Sequence, residues 1–362
     1  MSSSRRLYIR MLVLYAKRSL HNGNLTTPRV TVTTAMPGKV LTALEPDPRS
    51  ITALQKIGGG LCLVVFVATW ICSISSPLVL AYAVFKQYHL LTFVVITTSI
   101  TAYLPWKKGI LANSVRYFIK TFTPCYFKSI VLLFQGEGHL PNQKDPQTFY
   151  AIHPHGAFCV GWAMLFCHDV MQHVRFCFAP ALYLSPFFRL FARVTGNPGS
   201  AAKFAMISYM KNGESLALPP GGFEEATLTS LDIDRVFIRK RTGFIRLCLT
   251  HGIRVRPVYV FGEKGLYWNL QGFFSPRLTV NRFGIPALVP WGTWFCPILP
   301  KGTVDIRIVV GPPIDLPRIH SPSKDDVKKY HDKYVAALVK LFDEHKEAAY
   351  GPAAKGVKLE VW

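Results

Sequence analysis

The chain is short of charge, and of acid above all. Across 362 residues only 17% are Asp, Glu, Lys or Arg, against about 25% in an ordinary soluble domain. Twenty acidic residues face 42 basic ones, for a formal net charge of +22. No acid precedes Glu45, whereas Arg5, Arg6, Arg10, Lys17, Arg18, Arg29 and Lys39 all do. None of the eight cysteines forms a CxxC pair, and no Cys/His cluster has zinc spacing. That argues against a metal site and for reduced, packing cysteines in a domain facing the cytosol. No internal repeat is found, so a repeat array is excluded. A strongly basic balance suits nucleic acid or anionic lipid. Half of the residues are apolar, which favours lipid. A nucleic-acid reading rests on charge alone.

Two long stretches lack charge altogether. Residues 57–85 are rich in Leu, Val, Ile and Phe, and after Lys86-Gln87-Tyr88-His89 a second uncharged run covers 90–106. A spanning helix takes about 20 apolar residues, with a range of about 17–25. The two runs therefore predict a transmembrane helical hairpin over 57–106. Basic residues flank its open end (Lys56, Lys107, Lys108, Arg116), which puts both termini in the cytosol by the positive-inside rule. A buried hairpin in a soluble protein is the plainer alternative. Residues 1–56 read as a loose, disordered basic tail. Within it, residues 7–20 suit a short amphipathic helix on anionic lipid, or the whole could be an organelle transit peptide. A third uncharged run, 283–300, holds four prolines, Trp291 and Trp294. Proline forbids a straight spanning helix, so this segment reads as a loop dipping into the membrane or lining a lipid path, or else a buried loop.

From 107 onward, apolar strands alternate with amphipathic stretches. Strands are expected at 148–152, 215–218, 254–261 and 304–310, and helices at 200–210 and 242–251. Near the C-terminus Val327, Tyr330, Tyr334, Leu338 and Leu341 recur at helical steps, with Ser323 and Asp325 as candidate caps. The pattern predicts an α/β domain over 107–351 with a mainly parallel sheet flanked by helices, and a tail at 352–362.

Three segments could carry chemistry. His153-Pro154-His155-Gly156 follows an apolar strand. A histidine at a strand end can take a proton from a hydroxyl near neutral pH, and glycine lets a substrate approach the backbone. The plainer reading is that both histidines satisfy turn hydrogen bonds. Gly221-Gly222-Phe223-Glu224-Glu225 also follows a short strand. Its amides could stabilise an oxyanion, and a carboxylate there could orient a histidine. Arg239-Lys240-Arg241-Thr242-Gly243-Phe244 opens a helix. A basic cluster at a helix start suits phosphate, or a solvated face near anionic lipid.

In this order the three segments resemble the type-2 diacylglycerol acyltransferase family, which includes monoacylglycerol and wax-alcohol acyltransferases. The resemblance runs from about 57 to 351. It includes the block at 257–263, Pro-Val-Tyr-Val-Phe-Gly-Glu, and Val309-Val310-Gly311-Pro312-Pro313-Ile314. It implies a membrane-anchored acyltransferase with His155 as the catalytic base, His153 beside it and Glu225 on the acidic position. It implies substrate contact at Gly156, Gly221, Gly222, Arg239, Lys240, Arg241, Gly243 and Phe244, with CoA phosphates on the basic residues. Lys203 stands where the family usually carries arginine, and lysine lacks the forked geometry. More distant glycerolipid acyltransferases use His-x4-Asp. Here Phe158 and Val160 occupy that place. The implied reaction moves an acyl group from acyl-CoA, the co-substrate, to diacylglycerol, making triacylglycerol. Monoacylglycerol or a long-chain alcohol is the alternative acceptor. A non-catalytic lipid-binding membrane protein is the alternative of a different class. No cofactor, metal or nucleic-acid partner is implied, and a homo-oligomer is compatible. The implied address is the endoplasmic reticulum membrane with transfer to lipid droplets, a plastid remaining open.

Overall fold

The structure, a computed structural model, describes residues 51–105, 109–137 and 139–362, together with the backbone of 29–36 and 39–45. The amphipathic-helix and transit-peptide readings of the N-terminal segment lie largely outside the described residues. Within that segment, β1 (Arg29–Met36) and β2 (Lys39–Glu45) form an antiparallel pair. The expected loose tail is thus partly sheet, as the run of Val and Thr at 30–34 favours.

Helix α1 (Ala53–Phe85) is 33 residues long and rises about 50 Å at 1.5 Å per residue. It is long and apolar enough to cross a membrane. Helix α2 (His89–Tyr103) has 15 residues, a rise of about 22 Å against a hydrocarbon core of about 30 Å. Of the expected pair, the structure shows one helix long enough to span and a second, shorter apolar one. Leu104 is extended and Pro105 follows it, so the helix ends before the uncharged run does. After α3 (Ile110–Tyr126) come strands β3 (Ser129–Phe134) and β4 (Thr148–His153), and helix α4 (Val160–Cys167). Next are β5 (Arg175–Phe178), α5 (Pro180–Leu184), α6 (Pro186–Thr195), β6 (Pro198–Ser200) and α7 (Lys203–Lys211). Strand β7 (Leu216–Leu218) leads into α8 (Gly222–Leu228), and β8 (Arg235–Val236) precedes α9 (Gly243–His251). The chain continues through β9 (Arg254–Phe261), β10 (Trp268–Asn269), α10 (Phe274–Arg282), β11 (Pro290–Trp291) and β12 (Asp305–Val310). It closes with α11 (Lys324–Tyr350) and β13 (Glu360–Val361).

The main sheet runs β1-β2-β3-β12-β9-β4-β7-β5-β6. From β9 to β6 every neighbouring pair is parallel. The antiparallel joins lie at β9–β12 and at the β3–β2–β1 edge. Strands in a parallel sheet are buried on both faces and read as continuous apolar runs. Strand β4 does so: all six of its residues are buried. Side chains alternate along it. Tyr150 and Ile152 join the core beneath α1 and α4. Phe149 and Ala151 join the core beneath α9 and α11. By the same alternation His153 falls on the α11 side.

Helix α1 docks its first half on the domain. Trp70 packs edge-on against Phe188 at 5.5 Å, and the Phe188 amide donates to Ser73 Oγ at 2.9 Å. Helix α2 folds back to the same level. There the guanidinium groups of Arg189 and Arg193 donate to the Ala102 carbonyl at 3.2 and 2.8 Å. The outer part of the pair exposes Ile74, Leu78, Phe85, Leu90 and Phe93.

Helix α11 starts at Ser323, whose capping box is completed by Asp326 rather than Asp325. Its Phe342 is fully buried, stacked on Phe261 with centroids 5.5 Å apart. The residues after it fold back: the main chain of Ile238 and Arg239 donates to the Trp362 carbonyl at 2.9 and 2.7 Å. Phe342→Ala should lower stability by about 3–5 kcal/mol, the usual loss for a buried phenylalanine. Thermal unfolding in detergent measures it, and an unchanged midpoint would show that α11 does not seal the sheet.

Candidate active site

The histidine turn and the glycine–glutamate turn meet because β4 and β7 are parallel neighbours that end on the same edge. Helix α8 begins just past β7 and brings Glu225 back over the end of β4. Glu225 is buried and three N–H donors converge on its carboxylate. His153 Nδ1 lies 3.1 and 3.0 Å from the two oxygens. The His155 amide donates to Oε1 at 2.7 Å, and the Phe237 amide to Oε2 at 2.8 Å. A carboxylate is acceptor-only, so His153 donates through Nδ1. Tyr334 Oη on α11 stands 3.0 Å from the Nε2 of His153. Gly221 is required here, because an added Cβ would collide with the Glu225 carboxylate.

Both nitrogens of His153 are thus committed, and the ring is fully buried. His155 differs. Its Nδ1 lies 2.8 Å from the Gly156 carbonyl, which can only accept, so the proton sits on Nδ1. Nε2 is then the bare acceptor, and it has no protein partner among the described residues. Burial pushes the His155 pKa below the ordinary imidazole value, although the Gly156 carbonyl and Glu225 pull the other way. Such a ring is neutral and able to take a proton. The expectation that Glu225 supports the His155 ring itself needs correction. Glu225 binds the ring of His153 and only the main chain of His155, because strand alternation turns His153 toward α8 and α11.

Glu263, the last residue of the 257–263 block, carries a role that the sequence pattern does not single out. It is buried after β9 and accepts from the first two amides of α4, Val160 at 3.0 Å and Gly161 at 2.7 Å. Burial pushes its pKa up to about 7. It also abuts Gly156, which sits at φ +63°, and any Cβ there would strike the Glu263 carboxylate. Tyr334 stands at a helical step among aliphatic positions, and a buried tyrosine there calls for a hydrogen-bond partner.

The basic block is less available than its composition implied. Arg241 pairs with Glu224. Arg239 Nε donates to the Val361 carbonyl at 2.8 Å, and Lys240 is exposed. Phe244 is core, stacked on Phe149 at 5.4 Å and edge-on to Tyr334 at 5.1 Å. It makes no open binding surface. Gly243 opens α9 and is exposed, and Gly222 opens α8 with its amide turned to Pro219. The amides of Gly156 and Gly221 have no protein acceptor among the described residues. Lys203 is exposed at the start of α7, which packs beside α9.

A cavity of about 330 Å³ lies between α1, α3, α4 and the sheet. Its walls are mostly apolar, including Leu63, Phe66, Leu132, Ala163 and Phe191. It reaches the first residue of α4, Val160, five positions after His155, but His155 does not line it. Among the described residues no group of three or more metal-ligating side chains occurs.

An imidazole with one bare nitrogen, fixed by a main-chain carbonyl and clamped by a sealed carboxylate, is suited to general-base chemistry on a hydroxyl. The family is independently given by comparison. The chain belongs to the diacylglycerol acyltransferase family, whose model matches residues 81–360. It is 30% identical over 216 residues to human acyl-CoA wax alcohol acyltransferase 2, covering 54% of this chain and 64% of that protein. It is 28% identical over 243 residues to diacylglycerol O-acyltransferase 2 of Dictyostelium discoideum, covering 60% and 72%. It is 31% identical over 242 residues to human 2-acylglycerol O-acyltransferase 3, covering 59% and 69%. The chain spans 64% and 53% of the length of the human and mouse wax alcohol acyltransferases that it matches. Among solved structures, a 1-acyl-sn-glycerophosphate acyltransferase from Thermotoga maritima overlaps at a TM-score of 0.40 and 17% identity, over 74% of this chain and 97% of that one. An overlap that loose supports no conclusion about this chain.

If His155 must be neutral to act, turnover should hold as pH falls to 6.5, the ordinary imidazole value, and decline only below it. Burial disfavours the protonated form, so the acid limb moves down. A pH–rate profile of acyl transfer measures this, and a half-loss above pH 6.5 would contradict it.

Proposed function

We propose that the protein transfers a fatty acyl group from acyl-CoA to the free hydroxyl of diacylglycerol, making triacylglycerol. The observation that carries this reading is the bare Nε2 of His155 in a turn clamped by Glu225. The acceptor hydroxyl loses its proton to Nε2 as its oxygen attacks the thioester carbonyl. The tetrahedral intermediate collapses, the carbon–sulfur bond breaks, and the CoA thiolate takes the proton back from His155. No covalent acyl-enzyme is required, since the acceptor is itself a hydroxyl. The unpartnered amides of Gly156 and Gly221 are candidate oxyanion donors. A lost donor of this kind typically costs about 100–1,000-fold in rate. His153 and Glu225 hold the turn in place. Lys240, Arg239 and Lys203 are left to meet CoA phosphates, while Arg241 would first have to leave Glu224. The apolar cavity behind α4 would take the acyl chain.

The α1–α2 pair anchors the enzyme in this reading. It enters and leaves the bilayer on one side, keeping the domain on the cytosolic face of the endoplasmic reticulum or on a lipid droplet. Monoacylglycerol and long-chain alcohols are the second reading of the acceptor. The names of the relatives favour it as much as diacylglycerol.

His155→Ala should abolish acyl transfer while expression and membrane association persist. Purified protein with labelled acyl-CoA and a panel of diacylglycerol, monoacylglycerol and fatty alcohol tests both points. Retained triacylglycerol synthesis in the variant would overturn the base. A wild-type product confined to wax ester or diacylglycerol would overturn the acceptor.

A further inference from the structure

Between β9 and β12 the chain makes a long excursion, from Trp268 to Leu299. Many of its exposed side chains are large and apolar, with Gln271, Ser275, Thr279 and Arg282 exposed among them. Trp294 is 87% exposed, Phe283 79% and Phe273 77%, and Ile285, Trp291 and Phe295 are also exposed. Contiguous exposed aromatics of this size are uncommon on a soluble surface and mark a contact.

The backbone of the excursion, by contrast, looks inward. Arg277 is buried and donates to the carbonyls of Ala287 at 2.9 Å, Leu270 at 2.6 Å and Gly272 at 3.1 Å. Asn281 Oδ1 accepts from the Ala287 amide at 2.9 Å, and Asn269 Oδ1 from the Val289 amide at 3.1 Å. At the far tip the amides of Gly292 and Thr293 donate to the carbonyls of Pro297 and Leu299 at 2.8 and 2.9 Å. Polar main chain sealed from within, with aromatic side chains outside, is what a lipid environment demands, because lipid supplies no hydrogen bonds. Tryptophan in particular favours the headgroup level.

Two further observations select the occupant. No acidic residue lies between 264 and 304; Lys264 is paired with Asp234 and Arg277 is buried, which leaves Arg282 and Lys301 as the cations of the segment to meet an anionic surface. Its base also lies against α1 and α3. Leu299 Cδ1 lies within 3.8 Å of where a Cβ on Gly60 of α1 would stand, and Tyr126 Oη donates to the Pro300 carbonyl at 2.6 Å. Near that junction α1 also exposes Leu54, Ile57, Leu61 and Val65 at helical spacing.

We infer that the excursion from 268 to 299 is a second membrane contact, which lays its aromatic face on the headgroup–acyl boundary of an anionic phospholipid surface. It rests on the membrane-embedded reading of α1 and α2. It is seated on the helix that carries Glu225. Asn281 Nδ2 donates to the Phe223 carbonyl at 3.1 Å and to Thr227 Oγ1 at 2.8 Å. Lipid arriving along this face therefore arrives beside the clamp.

The test uses the full chain in phosphatidylcholine–phosphatidylserine vesicles. An environment-sensitive fluorophore is attached through Trp294→Cys in a Cys72→Ala/Cys296→Ala background, which removes the two cysteines that are not buried. Parallel labels go through Ile74→Cys on α1 and through Lys340→Cys at an exposed position of α11. The expected result is a blue-shifted label at 294 that lipids brominated near the glycerol end quench, beside a water-like label at 340. A water-like label at 294 with a quenched one at 74 overturns the inference and leaves the anchor standing. Water-like labels at both overturn the anchor as well. Shielding at 294 that grows with the protein-to-lipid ratio assigns the face to a second copy of the chain, and also overturns it.

Discussion

One buried carboxylate organises the end of this sheet. Glu225 accepts from the ring of His153 and from the amides of His155 and Phe237, and through His153 it reaches Tyr334 on α11. Four separate segments, β4, α8, the strand end after β8 and the C-terminal helix, are tied to two oxygen atoms. A buried charge is costly unless hydrogen-bonded, so an arrangement that satisfies it with three N–H donors is also strongly self-selecting. The consequence is that the His155 main chain cannot drift, and its ring takes one tautomer from the Gly156 carbonyl.

A second carboxylate supports the same turn from behind. Glu263 holds the start of α4 and packs on Gly156, the residue whose carbonyl fixes the tautomer of His155. The two histidines therefore divide the work by strand geometry. His153 belongs to β4 and faces the α11 core with Phe149 and Ala151. His155 lies beyond the strand, where alternation no longer dictates its direction. The apolar face of the molecule follows a similar division: main-chain polarity is satisfied inside, by arginine and asparagine, and the outside is left to aromatics and aliphatics.

Much of this was legible in the residues. The apolar runs at 148–152 and 254–261 became the central strands, and the periodic run from Val327 to Leu341 became α11. The histidine and glycine–glutamate turns do meet. What was not legible is long-range or competitive. Arg241 and Glu224 are 17 positions apart, and no local pattern announces that a basic cluster suited to phosphate commits one of its cations to a carboxylate. Phe244 belongs to a recognisable block yet packs in the core, because α9 must bury one face on β4. The uncharged run at 90–106 counts enough residues to span, but Pro105 and the extended Leu104 stop the helix early. The pairing of Glu225 with His153 could have been read from alternation along β4. Two histidines two residues apart look equivalent until the strand end between them is fixed.

The most direct measurement is turnover of Glu225→Gln, followed alongside its membrane association and unfolding midpoint. A glutamine keeps the shape but presents an NH2 to a site already filled with N–H donors, so one of the three donors loses its acceptor. The account predicts a loss of at least about 100-fold in kcat, comparable with removing a fixed catalytic donor, with the protein still folded and membrane-bound. Turnover within a few-fold of the parent chain would contradict it, since the His155 turn would then be held by something other than this carboxylate.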